Sequence, residues 1–141
     1  MKNPDAGRAK LESGAAGQEY TVAYEFQLID DDTTLEPMHK DQLTGALYSM
    51  VPPNRKAPTK PGEWNQSRLL VQGDRFEHWV NGVKLLDGQL NSQQAREATA
   101  RRWADAPTIR EILLQARPEG PLALQHHGTP VWFKNIKIRV P

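Results

Sequence analysis

The apolar positions of this chain repeat far more often with a period of two than with a helical period. Between Glu19 and Ile29, Tyr20, Val22, Tyr24, Phe26 and Leu28 alternate with Thr21, Ala23, Glu25 and Gln27. That pattern predicts a strand with one apolar face and with Glu25 and Gln27 side by side on the other. Thr44–Val51 predicts a shorter strand. The densest alternation lies in Gly62–Asp87, which predicts strands at Ser67–Gln72, Arg75–Val80 and Val83–Asp87. Asn81-Gly82, flanked by Val80 and Val83, is a strong hairpin signal, because a type I′ turn needs positive φ at both central residues. Gly73-Asp74 supplies a second two-residue turn. Alternation returns in Leu122–His127, where Leu122 and Leu124 oppose Ala123, Gln125 and His127, and in Val131–Val140, where Ile136, Ile138 and Val140 should face a core. Two stretches break the pattern. Ser92–Trp103 is rich in helix formers, with Asn91 or Ser92 as cap. Behind it, Thr108-Ile109-Arg110-Glu111 fits a capping box followed by helical spacing of Ile109, Ile112, Leu113 and Ala116. The expected fold class is all-β and antiparallel, with one or two short surface helices.

Counting residues out from two-residue turns gives the register of the meander. Val80 should face Val83, His78 should face Leu85 and Phe76 should face Asp87. Across the other turn, Val71 should face Phe76, Leu69 His78 and Ser67 Val80. These residues share one face, mostly apolar, and therefore the core side. The opposite face carries Gln66, Arg68, Leu70, Glu77, Trp79 and Lys84, with Arg68 directly across from Trp79. Such a group suits either a sugar ring or a plain cation–π pair beside a surface carboxylate.

Composition narrows the function classes. The 141 residues suit one domain: a flexible polar tail at residues 1–18 and a β domain at 19–141. Charge is nearly balanced, 18 basic residues against 17 acidic, so neither a nucleic acid nor an anionic membrane is indicated as a partner. No apolar run approaches the roughly 18 residues of a membrane span. The absence of cysteine excludes a disulfide frame and thiolate metal sites. The first residues show no apolar signal-peptide core. Asp30-Asp31-Asp32 lacks the spacing of a calcium loop and reads as a solvated turn. Pro52–Pro61 is a long loop with Arg55, Lys56 and Lys60, a length that favours a rim or lid.

Several motifs stand in a fixed order: Tyr24-Glu25-Phe26-Gln27-Leu28-Ile29-Asp30, Gly62-Glu63-Trp64-Asn65, His78-Trp79-Val80-Asn81-Gly82, Leu124-Gln125-His126-His127-Gly128 and Phe133-Lys134-Asn135-Ile136. Together they resemble the 3-keto-disaccharide hydrolase domain family, whose pattern runs E-x-Q-x-x-D, G-E-W-N, H-W-L-N-G, L-Q-D-H-G and F-R-N-I. The resemblance covers about residues 20–140. It implies a concanavalin A-like jelly-roll β-sandwich and action on glycosides already oxidised at C3 of the sugar. It also implies a periplasmic or extracellular setting. The chemistry it implies needs an acid and a base and no nicotinamide cofactor; no metal is assigned. Three departures stand out: His126 replaces the family's Asp, Lys134 replaces its Arg, and only a polar tail precedes Glu19 where the family carries earlier strands. A sandwich without those strands would leave a sheet edge open to a second copy or a partner chain.

The resemblance implies Glu25 and His127 as acid/base candidates, and Gln27, Trp64, His78, Trp79 and Gln125 as substrate-binding candidates; Arg68 and Glu77 join the substrate-binding set because parity puts them on one face with Trp79. Each has a plainer role. Glu25 could be a strand surface residue, and His127 a turn histidine bonded to backbone. His78, by its parity, could be a satisfied core histidine. Trp64 and Trp79 could be packing residues. Asn81 should matter for its turn, and Asn65 and Asn135 for holding strand ends. Other readings are a non-catalytic carbohydrate-binding module, a glycosidase with Glu25 and Glu77 as paired carboxylates, and an interaction subunit.

Overall fold

The computed structural model describes residues 8–10, 19–32, 37–115, 120–125 and 130–140. In chain order the elements are β1 (Arg8–Lys10), β2 (Glu19–Thr21), a single 3-10 turn (Lys40–Gln42), β3 (Ser67–Gln72), β4 (Arg75–Val80), β5 (Val83–Gln89), α1 (Gln93–Arg102) and α2 (Pro107–Leu114). β1 lies within the stretch expected as a polar tail and pairs antiparallel with β2. The larger sheet is a meander in the order β3-β4-β5. Asn81 and Gly82 have φ of 46° and 79°, the two positive values of a type I′ turn. At the other turn Gly73 has φ of 59°, as a type II′ turn requires of its first central residue.

The β3–β4 register is the expected one, with Val71 opposite Phe76, Leu69 opposite His78 and Arg68 opposite Trp79. The β4–β5 register is not. Val80 faces Val83 and Trp79 faces Lys84, but a shift at His78/Trp79 then sets His78 against Leu86, Glu77 against Asp87 and Phe76 against Gly88. The extra residue is Leu85, and β5 runs on to Gln89 instead of ending at Asp87. A bulge lets two successive side chains turn to one side. Leu85 packs with Ala57 and Val80, while Leu86 packs with Leu47, Met50, Phe76 and Ala98. Strict two-residue counting could not show this, because both candidate turns have the length it assumes.

Residues 22–31 cover the core face of the meander without forming the continuous strand expected over Glu19–Ile29. Their inward parity holds as far as Phe26: Val22 and Tyr24 pack against Ala106, Ile109 and Leu113, and Phe26 against the Val80–Leu85 cluster, whereas Leu28 is 46% exposed. Their backbone partners are turns, not a strand. The Gln27 N–H donates to the Ala46 carbonyl at 3.1 Å, the Gly45 N–H to the Gln27 carbonyl at 2.9 Å and the Tyr48 N–H to the Glu25 carbonyl at 3.0 Å. Residues 44–51 are correspondingly turns joined by single bridges, Phe26 to Leu47 and Leu47 to Val51, and not the strand their alternation suggested. Gly45 explains this locally. Its φ is +93°, and a Cβ there would lie 2.4 Å from Leu85 Cδ1, so the chain turns where only glycine fits.

α1 starts where expected, with Ser92 Oγ accepting from the Ala95 N–H at 3.2 Å. α2 starts earlier than the expected capping box at Thr108: its cap is Ala106, which makes no side-chain cap bond, and Pro107 opens the helix, a position that Pro tolerates because no N–H is needed there. Ile109 and Leu113 are buried. Ala116 lies outside the described residues.

Two expectations fail on the same ground. Ser67, Leu69 and Val71 were assigned to the core side, yet Leu69 is 42% and Val71 53% exposed. The described parts of Leu122–His127 and Val131–Val140 form no strand, and Ile136, Ile138 and Val140 face solvent. Alternation specifies which side of a strand is apolar. It does not supply the neighbouring backbone or the covering layer that turns this into a ladder and a core.

Candidate functional site

The chemistry-bearing residues collect in two places. The first is the outer face of the meander. Arg75, Glu77 and Trp79 alternate along β4, with Arg68 across from Trp79 on β3. Glu77 was expected on a solvated face but is buried. Arg75 Nη2 donates to Glu77 Oε1, and Trp79 Nε1 donates to Glu77 Oε2 at 2.8 Å. Both carboxylate oxygens are therefore engaged, which is the condition for keeping such a charge buried. Glu77 thus fixes the orientation of the Trp79 indole. The Arg68 guanidinium lies 5.6 Å and Lys84 Nζ 5.8 Å from the centre of that ring, so two cations flank the aromatic surface. Lys84 also pairs with Asp87 at 3.4 Å. Arg75 was missed from sequence, although its two-residue spacing from Glu77 places both on one face.

The second place is the core side. Phe26 stacks on His78 with centroids 4.1 Å apart and planes 13° from parallel. His78 is buried and its Nδ1–H donates to the Gly45 carbonyl at 2.9 Å. Burial pushes the imidazole below its usual value, and the bond to Gly45 only partly opposes this. The ring therefore ties β4 to the Gly45 turn, the satisfied core role that its parity allowed. Glu25 and Gln27 flank Phe26 in the sequence. Both are half-buried. Gln27 Nε2 donates to the Gln42 carbonyl at 3.1 Å, so this side chain braces the adjoining turn.

The remaining candidates lie apart. Trp64 is 57% exposed, and Lys134 Nζ sits 4.0 Å from its ring centre. That contact joins the G-E-W-N segment to the segment carrying Phe133-Lys134-Asn135-Ile136, a pairing no local pattern could show. Gln125 is exposed. His127 lies outside the described residues. Asn65 and Asn81 act as staples: Asn81 Oδ1 accepts from the Gln66 N–H at 2.8 Å, Asn81 Nδ2 donates to the Pro58 carbonyl at 2.8 Å, and Asn65 Nδ2 donates to the Lys60 carbonyl at 2.9 Å. They fasten the proline-rich loop to the meander. Among the described residues no group of acidic, histidine or cysteine side chains is arranged to hold a metal ion. Nor is any helix long and apolar enough to cross a membrane.

The ordered motifs have their counterpart in known proteins. The family model of the 3-keto-alpha-glucoside-1,2-lyase-like domain matches residues 8–139. The chain belongs to this family. It is 28% identical over 130 residues to a 3-keto-disaccharide hydrolase of Bacteroides thetaiotaomicron, an alignment that takes in 86% of this chain and 45% of that protein. A crystal structure of a Parabacteroides distasonis protein, named as a glycosyl hydrolase, shares 32% identity with a TM-score of 0.51, over 69% of this chain and 46% of that one. The chain thus spans less than half the length of both relatives. The antiparallel sheet with two helices is a β-rich architecture, as the sequence led one to expect.

Proposed function

We propose that this chain takes part in cleaving glycosides whose sugar is already oxidised to a ketone at C3. The ketone acidifies the hydrogen on C2. A base removes that proton, the aglycone leaves C1 with a proton from an acid, and water then adds to the enone. These steps need one acid/base pair and donors to the enolate oxygen. In this reading Glu25 and His127 are the acid/base pair, and Gln27 and Gln125 position the sugar beside them. The observation that carries the reading is the family match over residues 8–139, within which Glu25 occupies the E-x-Q-x-x-D stretch. In this reading Arg68 and Trp79, which lie across from each other on β3 and β4, bind sugar. The finer fold that accompanies this reading is a concanavalin A-like jelly-roll sandwich.

The test is incubation with a 3-keto-glucoside and with its unoxidised parent, reading aglycone release. Release from the keto sugar alone is expected. Glu25→Gln and His127→Ala should each lower turnover by about 10²–10⁴-fold, the range for a lost acid or base. Release from the parent alone would sink the reading, and binding without cleavage of either would leave a carbohydrate-binding module.

A second reading is favoured by one observation, the exposure of Leu69 and Val71 on the core-side face of β3. Apolar side chains so placed suit a sandwich completed by further strands from a second copy or a partner chain. Light scattering checks it: a strictly monomeric, cooperatively unfolding chain would remove it.

A further inference from the structure

The three-stranded sheet has two edges, and they are built differently. The β5 edge is guarded. The extra residue Leu85 interrupts its register, and the Leu85 carbonyl accepts from the Asn54 N–H at 2.7 Å, so the loop ahead of the meander closes part of that edge. β3 has neither device. Its pairing with β4 is unbroken from Ser67 to Gln72. It carries no proline, no acid and no lysine, the residues that ordinarily keep an open edge from pairing. Its one charge, Arg68, leans toward the Trp79 ring at 5.6 Å. Five of its six residues are exposed, and among the described residues none of its backbone groups bonds outside the sheet. The two-residue turn at Gly73-Asp74 decides which groups are left over. It makes Gln72 and Arg75 a hydrogen-bonded pair, so Arg68, Leu70 and Gln72 bond to β4, and the N–H and C=O groups of Ser67, Leu69 and Val71 point outward.

We propose that β3 pairs antiparallel with β3 of a second copy of this chain, about a two-fold axis at Leu70. Such an axis stands perpendicular to the sheet and keeps each face on its own side, so a residue meets only residues of its own parity. With the axis at Leu70, Leu69 lies opposite Val71 of the second copy, and Val71 opposite Leu69 of the second copy. These two pairs exchange the outward-pointing backbone bonds. Their four apolar side chains, exposed in the single chain, then shield one another laterally on the core-side face. On the outer face Leu70 meets its own counterpart and Arg68 meets Gln72, so apolar faces apolar and polar faces polar. Arg68 stands clear of its counterpart and lies diagonal to Asp74 of the second copy, which puts opposite charges near each other and no like charges together. An axis at Leu69 would instead set Arg68 against Leu70 and Ser67 against Val71. The edge is therefore complementary to itself, which is what a closed two-fold interface requires. The pairing rests on the second reading of function and names the partner which that reading leaves open.

The chain has no cysteine, so introduced ones report the pairing directly. Leu70 would face its counterpart at a non-hydrogen-bonded position, where Cα atoms lie about 4.5 Å apart, within disulfide reach. Leu70→Cys in the full chain should therefore give a disulfide-linked dimer under mild oxidation, and Gln89→Cys, on the guarded edge strand, should not. Sedimentation of the native chain over a concentration series should show a dimer. Val71→Lys would set an ammonium against Leu69 of the second copy. Because Val71 is 53% exposed, this variant should keep the native circular dichroism and cooperative unfolding while dimerising about tenfold or more weakly. A chain that is monomeric at every concentration would overturn the pairing and remove the second copy from the second reading as well. A dimer that leaves Leu70→Cys unlinked, links Gln89→Cys equally fast, or persists unweakened in the folded Val71→Lys variant would overturn the pairing alone and place the contact on another surface.

Discussion

β3 and β4 are neighbours in one sheet and carry the same alternation, yet they meet opposite fates. Val71 and Phe76 face each other across the ladder, on one side of the sheet, and Val71 is 53% exposed where Phe76 is 5% exposed. The difference is the layer above. Over β4 and β5 lie Tyr24, Phe26, Leu47 and Met50, carried by the laced turns of residues 22–31 and 44–51. Among the described residues no such layer covers Leu69 and Val71. Strand pairing is therefore settled by local sequence and turn geometry, whereas burial is settled by segments distant in the chain. The same contrast separates β4 from the Val131–Val140 stretch, whose alternation is as regular but which has neither a ladder nor a cover.

This contrast can be broken or sharpened by experiment, beginning with its largest expected effect. Phe76→Ala should cost about 3–5 kcal/mol of stability in urea unfolding, the range for a buried aromatic residue; a loss no larger than that of a surface change would mean that the covering layer over β4 is loose. Next comes Gly45→Ala, which combines a positive φ with a clash against Leu85 and should cost about 1–3 kcal/mol. An unaffected unfolding midpoint would show that the turn can relax away from β5.

The third effect depends on pH. His78 is held below its ordinary value by burial, so the unfolded chain binds the proton more readily than the folded one. The stability this residue contributes is complete above the unfolded value of about 6.5 and is lost as pH falls below it, with a slope of at most about 1.4 kcal/mol per pH unit. Unfolding midpoints between pH 7 and pH 5 should decline for the native chain, and His78→Leu should flatten that decline. An identical decline in the variant would assign it to other groups. The smallest effect belongs to the other side of the comparison. Val71→Thr should stay within about 0.5 kcal/mol, as for exposed positions generally. A cost near that of Phe76→Ala would show that β3 is covered in solution and would support assembly with another chain.

Much of the fold was legible in the sequence because the relevant forces are local. Asn81-Gly82 and Gly73 set two turns, the turns set the β3–β4 register, and Ser92 set the start of α1. The candidate site was legible only in part. Parity put His78 on the apolar face, and the structure buries it there. What parity could not show was that the Glu25 segment lies across the core side of the meander. Whether Glu25 and Gln27 share a site with Arg68, Glu77 and Trp79 depends on how segments some forty or fifty residues apart stack.

By itself the sequence determined the alternation, the turns, the start of α1 and, through its ordered motifs, the family, because each depends on residues close in the chain or on a pattern of identities. Only the tertiary structure decided the bulge at Leu85, the burial of Glu77 between Arg75 and Trp79, and the contact of His78 with Gly45. It alone decided which apolar faces are covered. Those features depend on contacts between distant segments, and an alternating strand carries no information about what will pack against it. The Gly62–Asp87 meander is the clearest case: its turns were written in Gly73-Asp74 and Asn81-Gly82, while the role of each face was set by the chain that folds across it.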